Sequence, residues 1–171
     1  MARNIEIKAT IGSVEALAPA VAALADEGPI EILQDDTFFR CESGRLKLRA
    51  FSPEQGELIF YRRADARGPK ESFYLRSPTS APQALRESLT LAYGQAGRVL
   101  KHRTLFLVGR TRVHLDKVEA LGHFLELEVV LGEGEPAQAG IDEAHRLMEK
   151  LGVRPSQLVE GAYVDLLARD R

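Results

Sequence analysis

The sequence predicts an α+β protein built around an antiparallel sheet. About eight segments alternate apolar and polar residues with a period of two, which is typical of strands that bury one face. Tight turns such as Gly109-Arg110 join several consecutive segments, and only three main segments have helical periodicity. Strands that follow one another through tight turns pair antiparallel, because parallel strands need long crossover connections.

Composition favours one soluble domain, which we predict to span residues 1–171. The net charge of −2 argues against nucleic acid and anionic membranes as partners. A single cysteine, Cys41, excludes an internal disulfide and a CxxC zinc site. Residues 1–8 lack the apolar core of a signal peptide, and no apolar run approaches the roughly 20 residues that span a bilayer. We therefore expect a cytoplasmic protein.

Alternation and turn residues define the strands. The breaks at residues 42–44 and 52–56 are rich in Ser, Pro and Gly, as hairpin turns are. The predicted strands are Arg3–Ile11, Ile30–Arg40, Arg45–Phe51, Glu57–Arg63, Lys70–Arg76, Val99–Val108, Thr111–Val118 and Gly122–Leu131.

The helices are recognised by apolar residues at helical spacing and by the residues that end them. Gly94 and Gly152 are placed as terminators, and Pro19 predicts a late start or a kink in the first helix. The predicted helices are Ser13–Glu27, a helix from Pro82 up to Gly94, Gln138–Leu151, and one or two turns over Ala162–Ala168.

The charges on the strand faces are the most informative feature. Lys47 and Arg49 flank Leu48, and Glu126 and Glu128 flank Leu127, so single strands carry nearly one sign of charge. An ordinary amphipathic sheet with its polar face in water is the alternative interpretation. If the sheet closes on itself, the apolar faces lie outward under the helices and the charged faces line an interior. Such an interior is costly unless it binds a ligand of opposite charge.

The candidate interior residues suit a polyphosphate with a bound divalent metal. Arginine forks bind phosphate oxygens bidentately, and carboxylates supply the hard oxygen ligands that Mg²⁺ and Mn²⁺ prefer. The cations are Lys8, Lys47, Arg49, Arg62, Lys101, Arg103 and Arg112, and the carboxylates are Glu6, Asp116, Glu126 and Glu128.

Several motifs match a known family in order along the chain. Asn4-Ile5-Glu6-Ile7-Lys8 is similar to the signature E-x-E-x-K, with the first Glu replaced. The chain resembles the CYTH or triphosphate tunnel metalloenzyme superfamily, and within it the class IV adenylyl cyclase branch. The other matching segments are residues 35–39, 44–49, 58–63, 68–72, 99–103 and, most specifically, 111–128.

This resemblance implies an eight-stranded antiparallel β-barrel, the triphosphate tunnel, with helices packed outside. Arg63 is the alternative to Arg62, because a shift of one residue exchanges the faces of a strand. At the first position of the signature, Asn4 can still offer its side-chain carbonyl oxygen as a ligand but lacks the charge of a glutamate. The implied metal ligands are Glu6, Glu126 and Glu128; the implied substrate-binding residues are Lys47, Arg49, Arg62, Lys101, Arg103 and Arg112; the implied catalytic residues are Lys8, Arg112 and Asp116. Asp116 is expected either to contact the metal or to orient an arginine.

The sequence leaves the roles of three further residues open. Asp36 either contributes to the site or caps a turn. Tyr163 either packs in the core or contacts substrate, and His114 is expected to support its neighbours rather than to react.

The resemblance implies an enzyme that converts ATP to cyclic AMP and pyrophosphate with Mg²⁺ or Mn²⁺. The alternative is a phosphohydrolase acting on thiamine triphosphate or inorganic triphosphate, because the same tunnel suits either reaction. A third reading, motivated by Asn4, is a nucleotide or polyphosphate binder without catalysis. The resemblance is also compatible with a homodimer.

Overall fold

A computed structural model describes residues 2–63 and 66–169 of the chain. A single turn of 3₁₀ helix over Pro155–Gln157 precedes the last helix. The strands are β1 (Ala2–Thr10), β2 (Glu27–Phe39), β3 (Arg45–Ser52), β4 (Gln55–Arg63), β5 (Lys70–Thr79), β6 (Gln95–Val108), β7 (Thr111–Val118) and β8 (Gly122–Val130), and the helices are α1 (Val14–Leu24), α2 (Pro82–Tyr93), α3 (Ala137–Leu151) and α4 (Tyr163–Arg169).

The eight strands form a closed antiparallel barrel in the order β1-β5-β4-β3-β2-β6-β7-β8. Hairpins connect β2 through β5 and β6 through β8, whereas the two longer connections carry α1 and α2. β1 closes the ring by pairing with β5 on one edge and with β8 on the other. The predicted α+β class and barrel architecture are therefore confirmed.

Two strands begin three or four residues earlier than the sequence pattern predicts. β2 begins at Glu27 rather than Ile30, and β6 begins at Gln95 rather than Val99. These extensions pair with each other's strand, and the N–H of Asp26 already donates to the carbonyl of Leu107 at 2.7 Å. This pairing also ends α1 at Leu24 instead of Glu27, because the chain after Leu24 joins β6.

Helix α1 starts at a capped residue despite an internal proline. The Oγ atom of Ser13 accepts a hydrogen bond from the N–H of Ala16 at 3.2 Å, which satisfies one of the donors that a helix start leaves unpaired. Pro19 lies inside the helix without ending it. None of the helices in the described residues is long and apolar enough to cross a membrane.

Apolar side chains lie on the outer faces of the strands, beneath the helices. Val113 and Leu127, for example, are fully buried in a cluster that includes residues of both α1 and α3. The neighbouring residues in each strand point the opposite way, into the barrel. The charged faces of the predicted strands therefore line an interior, as the sequence indicates.

Helix α3 approaches the barrel closely at Gly140. A Cβ atom at this position would lie 2.6 Å from Cγ1 of Ile5 and 2.8 Å from Cδ2 of Leu131. Both neighbours are themselves buried, so they have little freedom to move away.

We predict that Gly140→Ala lowers the free energy of unfolding by about 1–2 kcal/mol, although alanine favours helices, because overpacking a core costs about 1–3 kcal/mol. Urea denaturation monitored by circular dichroism measures the change in the free energy of unfolding. Glu149→Ala, an exposed position of the same helix, is the control and should stay within about 0.5 kcal/mol of the parent. Equal stability of both variants and the parent would contradict the prediction.

Candidate active site in the barrel

A cavity of about 270 Å³ lies inside the barrel. Its lining comes from all eight strands and from the segment that precedes and starts α4. Nine residues that the sequence singled out line it together: Glu6, Lys8, Lys47, Arg49, Lys101, Arg103, Arg112, Glu126 and Glu128.

The expected inward position of Arg62 is wrong. Arg62 is exposed on the outside of β4, where its Nε atom donates to the carbonyl of Ser43 at 2.7 Å. Arg63 lines the cavity instead and donates from Nη1 to Oε2 of Glu6 at 2.9 Å. The alternation of β4 explains the correction, because Ile59 and Tyr61 also face inward and fix the parity.

Asp36 gathers three of the inward-facing cations. Its carboxylate accepts two hydrogen bonds from Arg49, both at 2.8 Å, and one from Nζ of Lys101 at 3.1 Å. Nζ of Lys47 lies 3.4 Å from the same carboxylate. Asp36 is 1 % exposed, so this is a buried ion cluster, and the turn-capping interpretation is not what the structure shows.

The electrostatics of this cluster follow from burial and charge. Burial alone raises the pKa of the Asp36 carboxyl, but the charges of Arg49, Lys101 and Lys47 outweigh it and hold that pKa well below the ordinary value. Burial lowers the pKa of Lys101 to about 8, partly offset by Asp36. Burial and the neighbouring Arg49 lower the pKa of Lys47 as well. Because one carboxylate faces three basic side chains, the buried cluster has a surplus of positive charge, which is costly to hold away from water.

Asp116 does not line the cavity. It is completely buried and accepts two hydrogen bonds from Arg103, both at 2.8 Å, and one from the hydroxyl of Tyr163 at 2.8 Å. Burial raises the pKa of Asp116, but Arg103 outweighs burial and lowers it. This arrangement makes Asp116 the residue that orients Arg103, not a group placed to contact substrate.

The segment around Tyr163 closes the barrel next to Lys8. Nζ of Lys8 donates to the carbonyl of Gly161 at 3.2 Å and lies 3.9 Å from the centre of the Tyr163 ring. Both Tyr163 and Ala162 line the cavity. Burial lowers the pKa of Lys8 to about 8, although Glu126 opposes the shift. Tyr163 is thus a packed residue whose ring also forms part of the cavity wall.

The two acidic residues of β8, Glu126 and Glu128, differ in their partners. Oε1 of Glu126 lies 3.6 Å from Nζ of Lys8, and Oε2 lies 3.7 Å from both Nη2 of Arg103 and Nδ1 of His114. Burial raises the pKa of Glu126, but Lys8 and its other basic neighbours lower it well below the ordinary value. Glu128 makes no hydrogen bond or ion pair with the residues that the structure describes.

Oxygen donors suited to a divalent cation are present in this wall. Glu6 and Glu128 are direct cross-strand partners on the cavity face. The side-chain Oδ1 atom of Asn4, two residues from Glu6, is buried and makes no hydrogen bond with any described residue. Within residues 2–63 and 66–169, no three His, Cys, Asp or Glu side chains converge as a metal cluster, so a cation would need Asn4 or substrate oxygens in addition to carboxylates.

Part of the cavity lining is apolar. Ile32, Phe51 and Leu105 line it and are each partly exposed. Arg76 and Tyr74 are also part of the lining, and the Arg76 guanidinium lies 5.9 Å from the centre of the Tyr74 ring. The charge pattern of the sequence does not predict these residues for the site, although the alternation of β5 places Tyr74 and Arg76 on the face of Ser72.

Comparisons with known proteins agree with this geometry. The family model described as CYTH domain matches residues 2–163. Adenylate cyclase CyaB from Aeromonas hydrophila is 26 % identical over an alignment that covers 94 % of this chain and 86 % of that protein.

Solved structures share the fold at low sequence identity. The PH1012 protein from Pyrococcus horikoshii superposes with a TM-score of 0.84 at 21 % identity, covering 95 % of this chain and 98 % of that chain. HpAC1 from Hippeastrum, described as having a dominant triphosphatase activity, superposes with a TM-score of 0.68 at 17 % identity, covering 99 % and 96 %. The match to the family model over nearly the whole chain shows that this chain belongs to the CYTH domain family.

Proposed function

We propose that the protein is a metal-dependent enzyme that binds a nucleoside triphosphate in the barrel and converts ATP to cyclic AMP and pyrophosphate. The buried cation cluster carries the proposal. Lys47, Arg49 and Lys101 surround a single carboxylate, Asp36, and together exceed its charge. A polyphosphate would supply the missing negative charge and the acceptor oxygens that these donors need.

The inward-facing residues would have different roles in binding the triphosphate and in the reaction. Lys47, Arg49, Lys101 and Arg103 would hold the phosphates, and Asp116 would keep the Arg103 guanidinium oriented. Lys8 and Arg112 would donate to the oxygens that gain charge as the bond to phosphorus breaks. A divalent cation on the carboxylates of β1 and β8 would neutralise phosphate charge and align the reacting groups.

In the cyclase reaction, the 3′-hydroxyl of ATP attacks the α-phosphorus. A new P–O bond forms while the 3′-hydroxyl releases its proton to water, the bond between the α-phosphorus and the bridging oxygen breaks, and pyrophosphate leaves with that electron pair. The apolar part of the cavity lining supports a nucleoside substrate, since bases and riboses pack on apolar and aromatic surfaces. It consists of the partly exposed residues Ile32, Phe51 and Leu105. The similarity to adenylate cyclase CyaB is consistent with this choice.

A triphosphatase that releases phosphate from inorganic or thiamine triphosphate is the second candidate. The cation cluster recognises phosphate and no base, so it would bind these substrates equally well. The fold itself does not distinguish the reactions, because HpAC1 has the same fold and a dominant triphosphatase activity.

Product analysis by ³¹P NMR tests the proposal. The protein is incubated separately with ATP, thiamine triphosphate and inorganic triphosphate, each with Mg²⁺ and with Mn²⁺. Cyclic AMP and pyrophosphate in equal amounts from ATP are the expected result. Phosphate release would replace the cyclase with a triphosphatase, and binding without any product would overturn the enzyme proposal.

We predict that Lys47→Ala weakens binding of inorganic triphosphate about 10–100-fold, because a charge-assisted contact contributes roughly 1.5–3 kcal/mol. Isothermal titration calorimetry measures the affinity. Arg62→Ala is the matched control: it also removes one positive charge from the β3–β4 region, but from the outer face, and should change the affinity less than threefold. Equal losses in the two variants would indicate a diffuse effect of net charge.

We also predict that triphosphate affinity decreases as the pH rises through 8. Lys101 has a pKa of about 8, below its ordinary value, so it loses its proton in this range, and the anion binds the protonated form. Titrations at pH 7 and pH 9 in the absence of metal measure the change. Lys101→Arg stays charged at both pH values, so the affinity of the parent relative to that of the variant should be lower at pH 9 than at pH 7. A constant ratio would exclude Lys101 as the titrating group.

A further inference from the structure

Gln34 is a buried carboxamide on the cavity face of β2, and its side-chain carbonyl oxygen lacks a donor. The residue is 5 % exposed and lines the cavity, and its Oε1 atom makes no hydrogen bond with any described residue. Leaving a buried acceptor unsatisfied is costly, so such an atom usually contacts a ligand or an ordered water. No step of the proposed reaction uses this residue.

Gln34 lies between the cation cluster and the apolar part of the cavity lining. On the inner face of β2, Ile32 precedes it and Asp36, the centre of the cation cluster, follows it. Successive inward residues of a strand are about 6–7 Å apart, so Gln34 is one step from each. Its pairing partner on β6 is Lys101, whose Nζ atom donates to Asp36 at 3.1 Å.

The neighbouring strands have the same order of polar and apolar residues. On the inner face of β3, Phe51 follows Arg49, and on that of β6, Leu105 follows Arg103. Because β2 is antiparallel to both strands, Ile32 belongs to the same end of the barrel as Phe51 and Leu105. A nucleotide with its phosphates on the cations and its base on the apolar residues would therefore place its ribose beside Gln34.

The chemistry of ATP limits which group can donate to Gln34. Phosphate oxygens are acceptors, so they cannot satisfy Oε1. The donors of ATP are the two ribose hydroxyls and the exocyclic amine, which lies at the edge of the purine away from the ribose. The 3′-oxygen must turn towards the α-phosphorus in the proposed reaction. The 2′-hydroxyl is the donor that remains beside Gln34.

We propose that Gln34 is a specificity-determining residue: its side-chain carbonyl oxygen accepts a hydrogen bond from the 2′-hydroxyl of the bound nucleotide and selects a ribonucleotide over a deoxyribonucleotide. The inference rests on the proposed function for the nucleotide itself. Inorganic triphosphate and thiamine triphosphate have no ribose, so this contact would add nothing to their binding.

Isothermal titration calorimetry with ATP and with 2′-deoxyATP tests this assignment. The titrations contain no divalent metal, so that the proposed metal-dependent reaction does not run. We expect the parent protein to bind ATP about tenfold more tightly than 2′-deoxyATP, because only ATP donates to the buried acceptor.

Gln34→Leu removes the acceptor and keeps a side chain of similar size. It should bind the two nucleotides within about twofold of each other, since neither has a hydrogen bond to lose there. Its affinity for inorganic triphosphate should also stay within about twofold of the parent value, because the charge-assisted contacts of the cation cluster are unchanged. Gln34→Met provides the same comparison if the leucine variant does not fold.

Asn4→Leu is the matched control. Asn4 is also a buried carboxamide that lines the cavity with an unpaired side-chain carbonyl oxygen, but β1 lies on the opposite side of the ring from β2. This variant should retain the preference for ATP over 2′-deoxyATP. Thermal unfolding of each variant confirms that it is folded.

Three results would overturn the assignment. The first is a parent protein without the preference, or an unchanged preference in Gln34→Leu. The second is loss of the preference in Asn4→Leu as well, which would indicate a general change in the cavity. The third comes from inosine triphosphate, which lacks the exocyclic amine: a Gln34-dependent preference for ATP over this nucleotide, with an unchanged preference over 2′-deoxyATP, would place Gln34 at the base.

The ³¹P NMR assay of the same preparations separates this inference from the proposed function. Cyclic AMP from the parent protein, combined with equal binding of ATP and 2′-deoxyATP, would overturn the role of Gln34 alone. A preference for ATP that depends on Gln34, with no product from any triphosphate, would overturn the proposed reaction alone.

Discussion

Closure of the barrel determines which charged side chains of the strands face the interior. Because β1 pairs with both β5 and β8, the eight strands form one ring with an outer and an inner surface. Successive residues of a strand alternate between these surfaces. Glu6 and Lys8 therefore lie inside while Ile5 and Ile7 lie under the helices, and one closure places cations from five other strands around the same space.

Buried ion pairs hold the arginine side chains of the interior in place. Asp36 and Asp116 each fix the geometry of arginine side chains, so that the guanidinium groups are oriented before a ligand arrives. Such preorganisation is costly during folding, since the charges leave water, but it removes reorganisation from the binding step. Tyr163 adds to it from outside the strands by sharing Asp116 with Arg103.

The fold and most of the site could be predicted from the sequence because alternation is a local property. Lys47, Arg49, Lys101 and Arg103 follow directly from the parity of their strands. Arg62 and Arg63 could not be separated in that way, because two adjacent arginines satisfy either parity and only the register decides.

Other features depend on partners that are distant in the chain. The early start of β2 results from pairing with β6, about 80 residues later, and leaves no apolar alternation to detect. The burial of Asp116 depends on Tyr163 from α4. The role of Asp36 emerges only when the two neighbouring strands, β3 and β6, bring cations to it, and the isolation of the Asn4 side-chain carbonyl is visible only once β5 and β8 flank it.

The pairing of β1 also has a consequence for biosynthesis. One edge of β1 can pair as soon as residues 70–74 emerge from the ribosome, but the other edge must wait for residues 124–130. Until then the growing chain presents an open strand edge with Ile5 and Ile7, two residues that are buried in the finished protein. The nascent chain is therefore most exposed to aggregation during the synthesis of its second half, and co-translational chaperones would protect it most in that interval.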